Sequence, residues 1–159
     1  MADEPDEYEI DATDRAILSA LMADGRRPFL EIARSIGVSG GTVHARVAKL
    51  QEAGILLGTR AVVDFARLGA DVVAFVGVTL SRAGKVRETL EELEPLPQVT
   101  QAHYTTGSYG LLIQVRVKNI AALRDFLADE LQSITSIAAT ETFMVLDSPI
   151  ERDVSLDQV

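Results

Sequence analysis

The hydrophobic period of this chain changes once, near Gly58, and that change separates two units of different class. Before it, apolar residues recur every three or four positions: Ile17, Leu18 and Leu21, then Phe29, Ile32, Ala33 and Ile36, then Val43, Val47 and Leu50. Such spacing places each set on one face of an α-helix. After it, runs rich in β-branched residues alternate with helical stripes, the pattern of an α+β unit.

Punctuation residues set the element ends. Asp11, with Asp14 three residues on, reads as an N-cap and capping box for a first helix that stops before Gly25. Pro28 and Gly37 frame a second helix, and a third runs from about Gly40 to Ala53, closed by Gly54 at its C′ position. Residues 62–68 read as a strand and turn linking the units, and residues 72–80 as a buried strand. Val86, Leu90 and Leu93 mark a helix ended by Pro95 and Pro97. Two strands, 99–106 and 111–117, flank Gly107 and Gly110. Asn119 caps a helix bearing Leu123, Phe126, Leu127 and Leu131, and a last strand spans 137–146 before Pro149. Strand, helix, strand, strand, helix, strand is the ferredoxin-like βαββαβ order. Helices cover one face of such a sheet. The other, assigned Val73, Phe75, Leu112 and Met144, calls for a partner subunit. The expected organisation is an acidic tail (1–10), a winged-type helix-turn-helix domain (11–56), a linker (57–69), a ferredoxin-like domain (70–152) and a C-terminal tail (153–159).

Composition narrows the function. With no cysteine and two histidines in 159 residues, thiolate zinc sites, disulfides and cysteine nucleophiles are excluded, and neither a metal nor a required cofactor is expected. No apolar run approaches the roughly 20 residues of a membrane span, so a cytoplasmic protein is expected. His103 beside Tyr104 is the one hint of acid/base chemistry. It stands without paired carboxylates, a nucleophile elbow or a phosphate loop, so no enzyme is expected. The net charge of −9 is segregated: −6 over residues 1–11, +3 over 12–60 and −6 beyond. The basic segment is the one with helical spacing, so an acidic total does not exclude DNA as a partner.

Two helices joined by the tight Gly37-Val38-Ser39 turn form a helix-turn-helix. On the third helix Val43, Val47 and Leu50 form the packing stripe. Thr42, Ala45, Arg46 and Lys49 form a second, roughly 110° away at 100° per residue. That stripe suits a major groove, with Arg46 reading guanine edges and Thr42 meeting a base or phosphate. Ser39, Gly40 and Gly41 open the helix start to phosphate. Arg26, Arg27 and Arg60 suit backbone contacts. His44 lies off the stripe and reads as packed or solvent-facing. A helical hairpin that binds protein instead of DNA remains the alternative.

The stretch "DATDRAILSALMADGRRPFLEIARSIGVSGGTVHARVAKLQEAGIL", with "VTQAHYTTGSYGLLIQV" and "ATETFMVLDSPI", resembles the Lrp/AsnC (feast/famine) regulators over roughly residues 10–152. It is closer to the asparagine-responsive AsnC branch than to the leucine-responsive one. The resemblance implies a transcriptional regulator that forms a homodimer, assembled further into tetramers of dimers, and binds an amino acid near subunit contacts. It implies an effector site at Tyr104, Thr106, Gly107, Ser108, Tyr109 and Gly110, with Thr140 and Thr142, and asparagine as the first ligand to consider. Many relatives carry an acid where this chain has Gly110. By spacing alone, 106–110 reads as a hairpin turn with glycines at positive φ rather than as a pocket, and only the resemblance reverses that; the threonines can reflect β propensity alone.

Overall fold

The computed structural model describes residues 8–82 and 84–156, so the acidic tail lies outside it as far as residue 7, as do the last three residues of the C-terminal tail. The chain divides into two compact units between Val62 and Val63, inside the segment read as a linker. Residues 152–156 belong to the helical unit, where Arg15 donates to the Leu156 carbonyl at 3.0 Å.

The helical unit consists, among the described residues, of α1 (Ala12–Ala23), α2 (Phe29–Ile36) and α3 (Gly40–Glu52). The capping box on α1 is complete: Asp14 N–H donates to Asp11 Oδ1 at 2.9 Å, and Asp11 N–H to Asp14 Oδ2 at 3.2 Å. Gly37, at φ 75°, ends α2 in the left-handed region, and Ser39 caps α3 by accepting from Thr42 N–H at 3.1 Å. Ile17, Ile32, Ala33, Val43 and Val47 form the core between the three helices. No strand forms a wing among the described residues. Of the strand and turn expected over 62–68 only the turn exists, closed by Ala70 N–H on the Phe65 carbonyl at 2.9 Å. An extended segment needs a neighbouring strand for its backbone groups, and Val62, 97% exposed, has none here.

The second unit contains β1 (Val72–Leu80), α4 (Val86–Leu93), β2 (Val99–Tyr104), β3 (Leu111–Val117), α5 (Ile120–Asp125) and β4 (Ile137–Met144). The sheet is antiparallel in the order β2-β3-β1-β4, so the two central strands carry the core. Ala74, Val76 and Val78 of β1 and the alternate residues Leu111, Ile113, Val115 and Val117 of β3 face the helices, under Leu93, Leu123, Phe126 and Leu131. The helix expected after Asn119 is not uniform: α5 passes into a π turn over Phe126–Glu130 and a 3-10 turn over Leu131–Ser133. Phe126 and Leu131, five residues apart, are both buried, and a π turn is the geometry that puts i and i+5 on one side. No helix among the described residues is long and apolar enough to cross a membrane.

The other sheet face is uncovered, with one correction to its membership. Met144 pairs with Ala74, on the helix side, whereas Phe143 pairs with Phe75 and takes the position assigned to Met144. Paired residues in an antiparallel ladder share a face. The open face therefore holds Val73, Phe75, Gly77, Leu112, Gln114, Glu141 and Phe143, the last 46% exposed.

Phe126, 1% exposed, fills the centre of the sheet unit. Phe126→Ala is expected to destabilise that unit by about 3–5 kcal/mol. The check is a denaturant melt: an unchanged slope with a lower midpoint followed by β-sheet signal confirms it, and an unchanged midpoint rejects it.

Candidate nucleic-acid interface and effector loop

Burial on α3 follows the helical wheel. Val43, Val47 and Leu50 are buried, Gly41, His44, Ala45, Ala48 and Lys49 are exposed, and Thr42 and Arg46 lie between. At the helix start the Ser39 and Thr42 hydroxyls sit 2.8 Å apart. Gly41 has an ordinary φ, and a Cβ there would meet only Ser39 Oγ at 3.8 Å. Neither packing nor backbone geometry demands glycine, which weakens a helix by about 1 kcal/mol relative to alanine. Its effect is to leave the first turn open to a close approach from outside. His44 stands exposed, its ring edge-on to Phe29 at 4.7 Å between centroids.

The cations divide into two groups. Arg26, Arg27, Lys49 and Arg60 form no ion pair among the described residues, and Arg34 on α2, passed over in the sequence reading, joins them. Arg46 is committed: its Nη1 donates to Asp11 and, at 3.0 Å, to Asp14 Oδ2. The Asp14 side chain is fully buried, and Tyr8 also donates its hydroxyl to that oxygen at 3.2 Å. These bonds to Asp11 and Asp14 raise the Arg46 guanidinium above its usual range. Asp14 N–H, then Arg46, hold the Asp11 carboxyl below its usual value. Partial burial, then the bond to Asp14, push the Tyr8 phenol up.

The loop between β2 and β3 folds onto the open sheet face. Thr105 bonds the Tyr109 and Gly110 carbonyls, and Gly110 N–H donates to the Val78 carbonyl at 2.9 Å. The Tyr109 ring lies directly over Gly77, where an added Cβ would come within 2.7 Å of three ring atoms. Its hydroxyl donates to Glu141, and its ring meets Phe143 edge-on at 6.3 Å. Thr106, Gly107 and Ser108 project into solvent, and the N–H groups of Gly107 and Ser108 have no partner among the described residues. The loop joins β2 and β3 as an antiparallel hairpin, but neither Gly107 nor Gly110 has the positive φ expected of its glycines. The residues expected to form one pocket are divided between faces. Tyr109 lies on the open side, whereas Tyr104, Thr140 and Thr142 pair with Leu111, Val78 and Val76 on the helix side. Glu141, Phe143 and Gly77 were missed. The available signal was parity: Glu141 stands between the two threonines and must point away from both.

Residues 10–51 match the AsnC-type helix-turn-helix domain, and residues 73–155 match the Lrp/AsnC ligand binding domain. The chain belongs to the Lrp/AsnC family. It is a helix-turn-helix transcriptional regulator carrying an effector-binding domain, not an enzyme. His103 is exposed and bonds only Gln101, at 3.2 Å, among the described residues. The chain is 44% identical over 147 residues to the regulatory protein AsnC of Escherichia coli K12, covering 92% of this chain and 97% of that protein. The structure of E. coli AsnC superposes with a TM-score of 0.90 at 43% identity, over 93% of this chain and 99% of that one. A transcriptional regulator from Neisseria meningitidis in complex with L-Met has a TM-score of 0.85 at 26% identity, over 93% and 96%.

The bond to Glu141, then partial burial, raise the Tyr109 phenol above its usual 10.0. Because the folded value is the higher one, this bond contributes fully below pH 10 and is lost as pH rises through the raised value. Glu141→Gln is expected to bring one tyrosine's titration back toward the usual range, read as phenolate absorbance against pH. An unchanged curve would show that Glu141 does not hold the phenol.

Proposed function

We propose that this regulator works in the cytoplasm as a homo-oligomer that sets α3 into the DNA major groove and responds to a free amino acid or a closely related metabolite. The observation that carries the DNA half is the outer face of α3: small residues, hydroxyls and one unpaired cation, following a three-residue turn. Thr42, Ala45 and Lys49 face the bases, Ser39, Gly40 and Gly41 bring backbone N–H groups to a phosphate, and Arg26, Arg27 and Arg60 hold the flanking phosphates.

The uncovered sheet face supports the oligomer. Phe75, Leu112 and Phe143 form an apolar patch on a sheet otherwise covered, and a second copy is its natural cover. A dimer places two α3 helices on successive groove segments, and tetramers of such dimers extend the same arrangement. For the effector, the unpaired N–H groups of Gly107 and Ser108 suit a carboxylate, with Thr106 beside them, while the Glu141 carboxylate, which the Tyr109 hydroxyl occupies in the free protein, suits an ammonium. Gly110, bonded to Val78, shapes the loop without reaching the ligand. Tyr104, Thr140 and Thr142 join the pocket only where another subunit's loop meets them. Asparagine, from the AsnC resemblance, and methionine, which the neisserial regulator binds, are the first ligands to titrate.

The test is binding of the protein to its own upstream DNA across a salt series. Arg26→Ala is expected to weaken binding to all sequences alike and lower the salt slope by about one. Lys49→Ala is expected to cost about 1–3 kcal/mol and relax preference at one base pair. A wild-type protein with no salt slope would instead favour a helical domain that binds protein.

A further inference from the structure

Arg46 sits on the helix that the proposed DNA complex uses, yet its geometry is that of a strut. At 100° per residue it lies roughly 40–60° from Leu50 and Val43 and equally roughly 40–60° from Thr42 and Lys49, so it stands on the border of the packed and outward stripes and its contacts decide its role. Its Nη1 meets two carboxylates, and one belongs to a residue with a fully buried side chain. Asp14 Oδ1 has no partner among the described residues, so the carboxylate depends on what reaches Oδ2: Arg46, Tyr8 and the Asp11 N–H. Drawing Arg46 out toward a base would leave a buried charge uncompensated. Two carboxylates already face this one cation, so its charge is matched within the domain.

We propose that Asp14, Asp11 and Arg46 form a clamp between the first turn of α1 and the middle of α3, and that Arg46 is a positioning residue for DNA recognition, not a base reader. The pair joins residues 32 apart in sequence and bonds the capping box of α1, so it fixes the rotation of α3 about its own axis. That rotation decides whether Thr42, Ala45 and Lys49 face the groove together. The inference rests on the reading that α3 docks on DNA.

Removing the acids tests it, because the two roles for Arg46 predict opposite signs. In the full-length protein, Asp14→Asn is expected to weaken binding to the specific site about tenfold, within the range of coupling among residues of one network. Binding to nonspecific DNA and the salt slope are expected to stay at wild-type values. Asp11→Asn is expected to act in the same direction more mildly, and it guards against misfolding because asparagine caps helices as well as aspartate. Circular dichroism at the assay temperature confirms retained helix. Arg46→Lys is expected to bind within about threefold of wild type, since one ammonium can serve both carboxylates as Nη1 does. The double variant Asp14→Asn/Arg46→Ala is expected to lose no more than Arg46→Ala alone. Tighter binding and a steeper salt slope in either Asn variant would overturn the proposal, as freeing a reader would do that. Failure of the wild type to prefer any sequence would overturn the DNA reading itself, whereas wild-type preference with unaffected Asn variants overturns only the clamp.

Discussion

A four-stranded sheet with its helices on one side is half a sandwich, and the sheet unit is organised around that constraint. The strict alternation in β3 sends Leu111, Ile113, Val115 and Val117 under the helices and sends Leu112, Gln114 and Arg116 the other way. Burying the first set excludes water from roughly one large side chain per position, each contributing about 1.5–3 kcal/mol. The second set is stranded at the surface by the same geometry. Apolar residues there, Phe75 and Phe143 directly paired, are stable in water only at the cost of exposed apolar area, which a second copy of the chain would remove in the proposed dimer.

In the helical unit the corresponding constraint is electrostatic. A carboxylate with no exposed side-chain surface must be paired or protonated, and Asp14 meets that demand by drawing Arg46 inward and Tyr8 across it. The capping box, the ion pair and the tyrosine hydroxyl converge on the single oxygen Oδ2. The result is a domain held by hydrophobic contacts in its centre and by one directional network at its corner. Hydrophobic contacts are non-directional and tolerate rotation of a helix; a charged hydrogen bond at a set distance does not. In the proposed DNA complex, recognition depends on that difference.

The helices and strands were legible because each carries its own punctuation: Asp11, Pro28, Gly37, Gly54 and Asn119 mark ends by local chemistry that tertiary contacts do not override. What was not legible depends on partners distant in sequence. Met144 was placed on the wrong face because β4 mixes threonine, alanine and glutamate, so its parity is set by pairing with β1 across an irregularity near Thr79, not by its own pattern. The same parity separates Thr140 and Thr142 from Tyr109 and hides Glu141. Helical angle alone places Arg46 near Thr42; nothing local announces that a buried carboxylate 32 residues earlier bonds it. The strand expected in 62–68 failed for the opposite reason: its β propensity was visible, but the ladder it needs is not supplied within one chain.

The position of Tyr109 joins ligand and assembly in one physical argument. Its ring rests on the notch left by Gly77, on the sheet face that the proposed dimer covers. In the proposed complex the ring is either seated on this notch or displaced from it, and the loop acts as a two-position element. Any ligand that favours one position must bias the assembly that prefers it, and the assembly must change ligand affinity by the same factor. The bias cannot exceed the difference in the ligand's affinity for the two positions. Glu141 supplies such a difference, because the oxygen that accepts the Tyr109 hydroxyl is the one an arriving ammonium would seek. In the proposed complex, then, an amino acid competes with Tyr109 for Glu141, whereas an analogue without the ammonium leaves the ring in its seat.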